Sequence, residues 1–541
     1  MAQVVSALLA CPACDGSQFV DRFMMQGYRL KRCEACSLLF LNPQPSPEIL
    51  AGIYSPTYFL GESNADASLS VSRIKRQTAR VYLDQIARYA GASGGTLLEV
   101  GCGHGELLAE AAARGYQVRG VEVSPYAAAA ANQSLGGDVV MCGELEEAGL
   151  ADATFDVCVC MDVIEHVRNP VGLLRHMHRV LKPGGVLFLV TPAVDSRLAR
   201  WLGSDWFEFK VEHLHYFSRS TIRNVLARTG FKEVEVSVTR KVLTLEYLRR
   251  HFARFKVPGL SSVVEFVSRA VPGPVRDYPM TLPASSVTVM GRSAEMRRQP
   301  MLSVILPAYN EGPTIRGALD RVIGKHVPGL DKEVIIVEGN STDGTREAVL
   351  EYQARPGVHV VLTDRPRGKG DAVRQGLARA SGDFVLIQDA DDEYDIDDYD
   401  VLLDPLKHFR RAFVLGSRHH GHWQIRKFGL SSMTVFMNSG HIFLTELFNL
   451  LYRQKLEDPW TMYKVFRRDC LHRVLLECNR FDFDVELVAK LVRRGFSPLE
   501  IPVHYHSRSF AEGKKIRVFR DPLTWIWACL KYRVASFDSH R

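Results

Sequence analysis

Apolar residues lie along this chain in short runs of strand length, and many of these runs are followed by stretches with helical spacing. In the first half, 96–100, 117–123 and 156–161 are such runs, and we predict 231–240 and 285–292 to be the last two strands of the set. Strands that alternate with helices build a parallel sheet, so this half is predicted to be an α/β domain.

The second half repeats the pattern with different turns. Residues 302–311 and 334–344 are each a strand that leads into a turn, and a helix opens at Gly368-Lys-Gly370 and continues to Ala380. Residues 384–395 form an apolar run that ends abruptly in carboxylates. Three strands with intervening helices make a second parallel sheet, with ligand loops at the carboxyl ends of its strands.

The chain has 541 residues, too many for one hydrophobic core. We predict domains at 1–45, 46–295 and 301–541, with a polar linker at 293–300. The net charge of +7 favours phosphates or an anionic membrane surface and is too weak to indicate nucleic acid. No apolar window of about 18 residues is present, so we predict no membrane span and expect a cytoplasmic protein.

Four of the 11 cysteines lie in the first 36 residues, as Cys11-x-x-Cys14 and Cys33-x-x-Cys36. Each pair can give two thiolates to one tetrahedral ion, and the spacing between the pairs is that of a four-cysteine zinc ribbon. The alternative is two unrelated pairs of free thiols. In a closed four-sulfur site the zinc is structural.

The first strand of the middle domain enters a glycine turn at Gly101, Gly103 and Gly105, and a helical stretch follows. Strand, glycine turn and helix form a nucleotide-binding crevice in which the backbone can approach the ligand. Glu122 ends the second strand, where a carboxylate can hold both hydroxyls of a ribose.

The middle domain resembles the class I S-adenosylmethionine-dependent methyltransferases. This resemblance implies a Rossmann-like, seven-stranded sheet and S-adenosylmethionine as cofactor, and the zinc ribbon is similar to one found before some sugar and small-molecule methyltransferases. The motifs that carry it are Glu99-Val-Gly-Cys-Gly-His-Gly105, Glu122, Glu165-His166 and Leu181-Lys-Pro-Gly-Gly185. The implied cofactor-binding residues are Glu99, Gly101, Gly103, Gly105, Glu122 and Asp162.

Methyl transfer from a sulfonium needs alignment more than side-chain chemistry, although a base helps a hydroxyl or carbon acceptor. Candidate bases are His166, His213 and His215, each with a structural role as the alternative. The pattern Asp162-x-x-Glu165-His166 also resembles a metal site of quinone O-methyltransferases. The simpler interpretation is that Glu165 and His166 start the next helix and shape the pocket.

The carboxylates that follow the apolar run of the last domain are Asp389 and Asp391. Hard divalent cations prefer several oxygen ligands, and Asp-x-Asp directs two carboxylates at one ion while a diphosphate supplies the rest. The alternatives are a solvated turn or a calcium site. The preceding strand, the glycine-opened helix and the Asn310-Glu311 turn favour a nucleotide-sugar site.

The last domain resembles the family 2 glycosyltransferases, closest to the polyprenyl-phosphate sugar synthases. The resemblance implies a GT-A fold, an inverting transfer, a nucleotide-sugar donor, Mg²⁺ or Mn²⁺, and a polyprenyl phosphate or glycan acceptor. It is carried by Pro307-Ala-Tyr-Asn-Glu311, Asp343-Gly-Thr345, Gly368-Lys-Gly370, Gln388-Asp-Ala-Asp391, Gly416-Ser-Arg418, Lys464-Val-Phe-Arg467, Phe483-Asp-Val-Glu486 and Glu512-Gly-Lys-Lys-Ile516. The implied site residues are Pro307, Tyr309, Asn310, Glu311 and Glu338 for the nucleoside, Asp389, Asp391 and Glu393 for the metal, with Asp391 also catalytic, and Lys369, Lys464, Arg467 and Arg508 for phosphate or acceptor.

One motif departs from the family pattern. The usual Val-Asp-Asp-Gly-Ser is Val337-Glu-Gly-Asn-Ser341 here, so one carboxylate is on a longer arm and the second is absent. This change affects the predicted contact with the base and leaves the donor open. It does not affect the metal site.

The tail, 514–533, mixes cations with aromatic residues, which favours peripheral attachment to a membrane, with 243–256 as a second contact. The competing interpretation is a tail helix packed on the domain and a soluble sugar acceptor. Together the domains predict a bifunctional enzyme that methylates and transfers a sugar. The alternatives are a glycosyltransferase whose front half is a scaffold, and an RNA or DNA methylase, which the modest charge and the missing Asn-Pro-Pro-Tyr-like loop argue against.

Overall fold

The computed structural model describes residues 7–53, 65–254, 257, 259–295, 299–391, 393–419, 432–507 and 521–535. The chain divides into two compact units, Met1–Met296 and Arg297–Arg541.

The amino-terminal unit contains two sheets. Its strands are β1 (Phe19–Met25), β2 (Tyr28–Cys33), β3 (Leu39–Leu41), β4 (Gly95–Val100), β5 (Tyr116–Glu122), β6 (Val140–Cys142), β7 (Phe155–Met161), β8 (Leu181–Pro192), β9 (His215–Tyr216), β10 (Phe231–Leu243) and β11 (Met280–Ser293). Its helices are α1 (Pro47–Ile53), α2 (Ala65–Ala90), α3 (Glu106–Ala113), α4 (Pro125–Leu135), α5 (Pro170–Val180), α6 (Arg197–Leu202), α7 (Arg219–Arg228), α8 (Leu245–Arg254), α9 (Leu260–Ala270) and α10 (Gly273–Arg276), with a 3-10 turn at Gly203–Asp205.

The small sheet is antiparallel, with the order β1-β2-β3-β9. Its fourth strand, β9, comes from a part of the chain that follows the first strands of the large sheet. Phe40 of β3 pairs with His215 of β9. The cysteine-bearing segment is therefore joined to the rest of the unit by backbone hydrogen bonds.

The large sheet has seven strands, the number that the family resemblance implied, and their order is β10-β11-β8-β7-β4-β5-β6. Six strands run in the same direction, and β11 runs antiparallel to its neighbours β8 and β10. The strand order reverses between β4 and β7. The carboxyl ends of these two strands border a crevice, the usual ligand position in such sheets.

The carboxy-terminal unit is built on a second seven-stranded sheet. Its strands are β12 (Met301–Ala308), β13 (Asp331–Glu338), β14 (Val358–Leu362), β15 (Phe384–Ile387), β16 (Phe413–Ser417), β17 (Lys464–Arg467) and β18 (Leu499–Pro502). Its helices are α11 (Ile315–Gly324), α12 (Thr345–Leu350), α13 (Lys369–Arg379), α14 (Tyr399–Lys407), α15 (Ser432–Tyr452), α16 (Phe483–Arg493) and α17 (Asp521–Val534), with 3-10 turns at Ile396–Asp398 and Arg468–Leu471.

The order of this sheet is β14-β13-β12-β15-β17-β16-β18. Strands β12 to β15 are mutually parallel, and β17 is antiparallel to both of its neighbours. The order reverses between β12 and β15, so the loops after these strands form the expected ligand crevice. No helix in the described part of the chain is long and apolar enough to cross a bilayer.

Candidate functional site

The four amino-terminal cysteines meet at one point. All four are buried, and their sulfur atoms lie within 4.8 Å of one another. Cys11 Sγ is 3.6 Å from Cys36 Sγ, and Cys14 Sγ is 3.7 Å from Cys33 Sγ. Sulfurs bound to tetrahedral zinc at about 2.3 Å lie about 3.8 Å apart, so the cluster is compatible with a zinc ribbon. Two unrelated thiol pairs would not converge in this way.

In the large sheet of the same unit, the glycine turn and Glu122 are hydrogen-bonded to each other. The Glu122 carboxylate, at the end of β5, accepts the backbone N–H of Gly103 at 2.9 Å and that of Ser124 at 3.0 Å. Its side chain is almost completely buried. The carboxylate therefore fixes the turn after β4 against the end of β5.

Gly101 and Glu99 have special environments where β4 enters this turn. Gly101 has a φ of 72°, and a Cβ there would lie 2.3 Å from Cγ2 of Val163, so only glycine fits. Glu99 is buried, and its Oε2 has no hydrogen-bond partner among the described residues. Burial, together with the charges of Glu106 and Glu122, raises the pKa of Glu99 well above its usual value.

Asp162 follows β7 on the other side of the crevice, with a φ of 52°. Its carboxylate accepts a hydrogen bond of 2.9 Å from Nζ of Lys241 on β10. Lys241 belongs to none of the sequence motifs. It lies 79 residues from its partner in a strand with no motif, and only the folded sheet brings the two together.

Glu165, His166 and His213 form a cluster beside Asp162, and their ligand atoms lie within 4.8 Å of one another. Thr191 Oγ1 donates to Glu165 Oε2 at 3.0 Å, while Glu165 Oε1 is buried without a described partner. Burial and the nearby Asp162 charge raise the pKa of Glu165. The structure thus joins His213 to the predicted Glu165-His166 pair, while Asp162 is engaged by Lys241.

Two backbone carbonyl groups determine which nitrogen of the His166 and His213 rings carries the proton. Nδ1 of His166 lies 3.0 Å from the carbonyl oxygen of Glu212, and Nδ1 of His213 lies 2.8 Å from that of Glu208. A carbonyl only accepts, so Nδ1 carries the proton and Nε2 carries the lone pair of each neutral ring. Burial, aided by His213 for His166 and by Lys210 for His213, lowers the pKa of each to about 3.

His215, the third candidate base, lies in β9 and is completely buried. Its Nε2 lies 3.0 Å from the carbonyl oxygen of Val167, and its backbone joins the small sheet. This placement is structural, in line with the alternative considered for it.

In the carboxy-terminal unit, the acidic turn follows β15. Lys369 Nζ, at the start of α13, forms an ion pair with Asp389 Oδ1. Asp391 Oδ1 lies 3.4 Å from the backbone nitrogen of Glu393, and Glu393 Oε2 accepts the Tyr505 hydroxyl at 3.0 Å. Among the described residues, the carboxylates of this turn do not belong to a group of three or more metal-ligand atoms that all lie within 4.8 Å of one another.

The turns after β12 and β13 are hydrogen-bonded to each other. Asn310 N donates to Ser341 Oγ at 3.0 Å, and Asn310 Oδ1 accepts Thr342 N at 3.0 Å. Glu311 N donates to Thr345 Oγ1 at 2.8 Å. Tyr309 is exposed beside these turns.

Glu338 has a different environment from the one predicted. Its carboxylate is completely buried and accepts the N–H groups of Asn340 and Ser341, at 3.1 and 2.7 Å, and Nε of Arg346 at 2.5 Å. The glutamate side chain, which is longer than the usual aspartate, folds back onto its own turn. Arg346, which the sequence motifs did not indicate, neutralises it.

The predicted basic contacts have three different placements. Lys464 Nζ is buried 2.9 Å from Asp484 Oδ1, and β17 carries it near the carboxyl end of β15. Arg467 pairs across the sheet with Phe384, at the amino end of β15, and its guanidinium binds Asp469 at 3.0 Å. The structure therefore does not bring Arg467 to the acidic turn. Arg508 lies outside the described residues.

Comparisons with known proteins address the two units separately. Residues 303–475 match the model of the glycosyl transferase family 2. The dolichyl-phosphate β-glucosyltransferase of Drosophila melanogaster is 30% identical over 261 residues, covering 45% of this chain and 76% of that protein. The chain belongs to glycosyltransferase family 2. Glycosyltransferase AglJ of Haloferax volcanii is 27% identical over 219 residues, covering 40% of this chain and 67% of that protein.

Residues 74–236 match the model of a methyltransferase domain, so this family 2 enzyme also carries a methyltransferase domain. Among solved structures, a SAM-dependent methyltransferase from Thermotoga maritima is 21% identical, covering 41% of this chain and 91% of that protein with a TM-score of 0.29.

Proposed function

We propose that this chain is a bifunctional enzyme with two independent active sites. The carboxy-terminal unit transfers a sugar, with inversion, from a nucleotide-sugar to a polyprenyl phosphate, and the amino-terminal unit transfers the methyl group of S-adenosylmethionine to a small molecule or sugar. The observation that supports the proposal is the presence of two switch-point crevices, one beside the glycine turn that follows β4 and one beside the acidic turn that follows β15.

The acceptor of the sugar is proposed from the relatives and from a surface. Several relatives are dolichyl-phosphate β-glucosyltransferases by name. Helix α17 buries Ala528, Cys529 and Tyr532 against its own unit and exposes an apolar stripe on its other side. The stripe consists of Leu523, Trp527, Leu530 and Val534, and Phe443 and Leu450 of the contacting α15 are exposed as well. An apolar helix face of this kind can lie in the surface of a bilayer, where a polyprenyl phosphate is held.

The donor's divalent cation fits the chemistry of the acidic turn. Asp389 and Asp391 supply hard oxygen ligands at the carboxyl end of β15, and Mg²⁺ or Mn²⁺ takes its remaining ligands from phosphates and water. A bound cation would supply charge stabilisation for the leaving diphosphate. Lys369, already at Asp389, is placed to contact the same phosphates. A phosphate acceptor is anionic, so no side chain has to remove a proton from it.

A transfer assay tests this half of the proposal. We would incubate the full chain with Mn²⁺, polyprenyl phosphate in detergent and a series of UDP- and GDP-sugars, and compare Asp391→Ala with wild type. We expect activity on the best donor to fall at least 100-fold. Asp397→Ala, an exposed aspartate paired with Lys325, is the matched control and should retain it. Full activity of Asp391→Ala would refute the metal assignment, and transfer only to soluble glycans would refute the lipid acceptor.

The methyltransferase half rests on the glycine turn. Only glycine fits at Gly101 beside Val163, whereas a Cβ at Gly103 would meet no described atom within 4 Å. We assign Glu122, which ends β5 and holds this turn, to the ribose hydroxyls. S-adenosylmethionine supplies an electrophilic methyl group when bound. Nε2 of His166 or His213, which carries the lone pair, can accept a hydrogen bond from a hydroxyl acceptor and orient it toward the methyl group.

Calorimetry with S-adenosylmethionine and S-adenosylhomocysteine separates this function from a scaffold. We expect micromolar binding to the full chain and at least tenfold weaker binding to Glu122→Ala. The matched control is Asp138→Ala, an exposed carboxylate ahead of β6 at the opposite end of the strands. Absence of binding to the wild type would favour the scaffold alternative.

A further inference from the structure

The inward face of α15 carries polar groups next to the glycosyltransferase core. Asn438 and His441 are three residues apart, so they share one side of the helix. Asn438 is buried, and its Oδ1 accepts no hydrogen bond from the described residues. A buried amide oxygen without a donor is costly unless another ligand satisfies it.

Two further groups converge on the same helix face. Nε2 of His441 lies 3.0 Å from Nε2 of His419, which follows β16, and 3.8 Å from Oδ1 of Asp458. Asp458 is completely buried, and the three ligand atoms lie within 4.8 Å of one another. The three residues come from different segments, so only the fold brings them together.

The spacing suits an ion. Two imidazole nitrogens bound to one metal at about 2.0–2.1 Å lie about 2.8–3.4 Å apart for bond angles between 90° and 110°. The observed 3.0 Å between the two Nε2 atoms falls within this range. The longer separation of Asp458 can close with a small side-chain movement.

The ionisation state of Asp458 allows the carboxylate to act as a metal ligand. Burial would raise the pKa of Asp458, but the charge of Arg418 outweighs it and keeps the carboxylate ionised. Arg418 donates from Nε at 2.7 Å and from the second guanidinium nitrogen at 2.8 Å. Two imidazoles and one carboxylate select zinc or a similar transition metal over Mg²⁺.

We propose that His419, His441 and Asp458, with Asn438 Oδ1 as a fourth donor, bind a divalent transition-metal ion such as Zn²⁺. This ion is distinct from the cation that accompanies the nucleotide diphosphate, and its binding does not depend on the proposed sugar transfer. Its position links α15 to the active-site side of the unit. Arg418 lies 5.3 Å over the ring of Tyr505, whose hydroxyl donates to Glu393 of the acidic turn.

Metal content of the untagged 541-residue chain tests the proposal. The protein is loaded with excess Zn²⁺, passed through a gel-filtration column in Mg²⁺ buffer, and its zinc is measured by elemental analysis. We expect two zinc ions per wild-type chain, one of them in the cysteine cluster. His441→Ala and Cys33→Ser should each retain one ion, and the double variant none. His408→Ala, an exposed histidine of the same unit, is the matched control and should retain two.

Replacement of Zn²⁺ by Co²⁺ distinguishes the ion of the cysteine cluster from the ion of the proposed histidine site. Thiolate ligands give Co²⁺ intense charge-transfer absorption, whereas a site of nitrogen and oxygen ligands gives weak ligand-field bands. Only the weak bands should disappear in His441→Ala. His166→Ala should leave both ions in place, because it alters the other histidine cluster.

Two results would overturn the proposal. One is a wild-type chain that holds a single zinc ion, lost in Cys33→Ser, a count that does not depend on whether any histidine variant folds. The other is a second ion that disappears in His166→Ala and persists in His441→Ala.

Discussion

Nε of Arg346 donates a 2.5 Å hydrogen bond to the completely buried carboxylate of Glu338. The usual family motif has an aspartate followed by a second carboxylate at this point, whereas here a glycine follows Glu338. The glutamate reaches back to two N–H groups of its own turn, and the arginine supplies the charge that this buried anion requires.

We therefore predict that Arg346→Ala destabilises the carboxy-terminal unit. Arg346 is partly exposed and the carboxylate keeps two N–H donors, so the loss should be about 2 kcal/mol, below the range for a fully buried pair. This corresponds to a decrease in midpoint of about 4–8 °C for a unit of this size. Calorimetry of the full chain measures it. Arg316→Ala removes an exposed ion pair with Glu351 and should leave the midpoint unchanged; an equal shift in both variants would contradict the argument.

The fold and the cysteine cluster could be predicted because their signals are local. Apolar runs of strand length, a glycine turn and paired cysteines specify their own structure within a few residues. The pairs Asp162–Lys241 and His441–Asp458 could not be predicted, since each forms only when segments far apart in sequence meet. Arg467 shows a different limit: the motif around it does not reveal which end of the sheet its side chain reaches.

The buried histidines of the methyltransferase unit predict sensitivity to acid. Burial lowers the pKa of His166 and His213 to about 3, so the folded state keeps them neutral while the unfolded chain binds protons below about pH 6.5. Stability should therefore fall as the pH decreases from about 6.5 toward 3, by up to about 1.4 kcal/mol per pH unit for each histidine. Calorimetric midpoints between pH 7.5 and 5 measure this effect.

His213→Gln provides the matched comparison. The variant should be less stable at neutral pH, because a buried ring is lost, but its midpoint should fall less steeply with acid, by about one proton. A slope equal to that of wild type would show that His213 is not neutral in the folded unit.

The cysteine cluster predicts a structural metal in the purified protein. Because the four sulfurs already lie at near-zinc spacing, Cys14→Ser or Cys36→Ser should reduce bound zinc by one ion per chain. Loss of the metal should also destabilise the small sheet. Its strand β2 ends at the ligand Cys33 and pairs with β3. Elemental analysis and limited proteolysis within 7–45 report the two effects. Cys142→Ser, which removes an exposed thiol, should change neither.

The apolar stripe of α17 predicts reversible attachment to membranes. Trp527→Asp and Leu530→Asp place a charge in the exposed stripe without touching the buried side of the helix, so the fold should remain intact. Each fully buried apolar side chain contributes about 1.5–3 kcal/mol, so one charge should weaken vesicle binding at least tenfold. Flotation with vesicles of phosphatidylcholine and phosphatidylglycerol at low salt measures binding. Leu350→Asp, an exposed leucine at the end of α12, should float as wild type does. If wild type stays entirely in the soluble fraction, the stripe must instead be covered by protein, and the lipid acceptor loses its structural support.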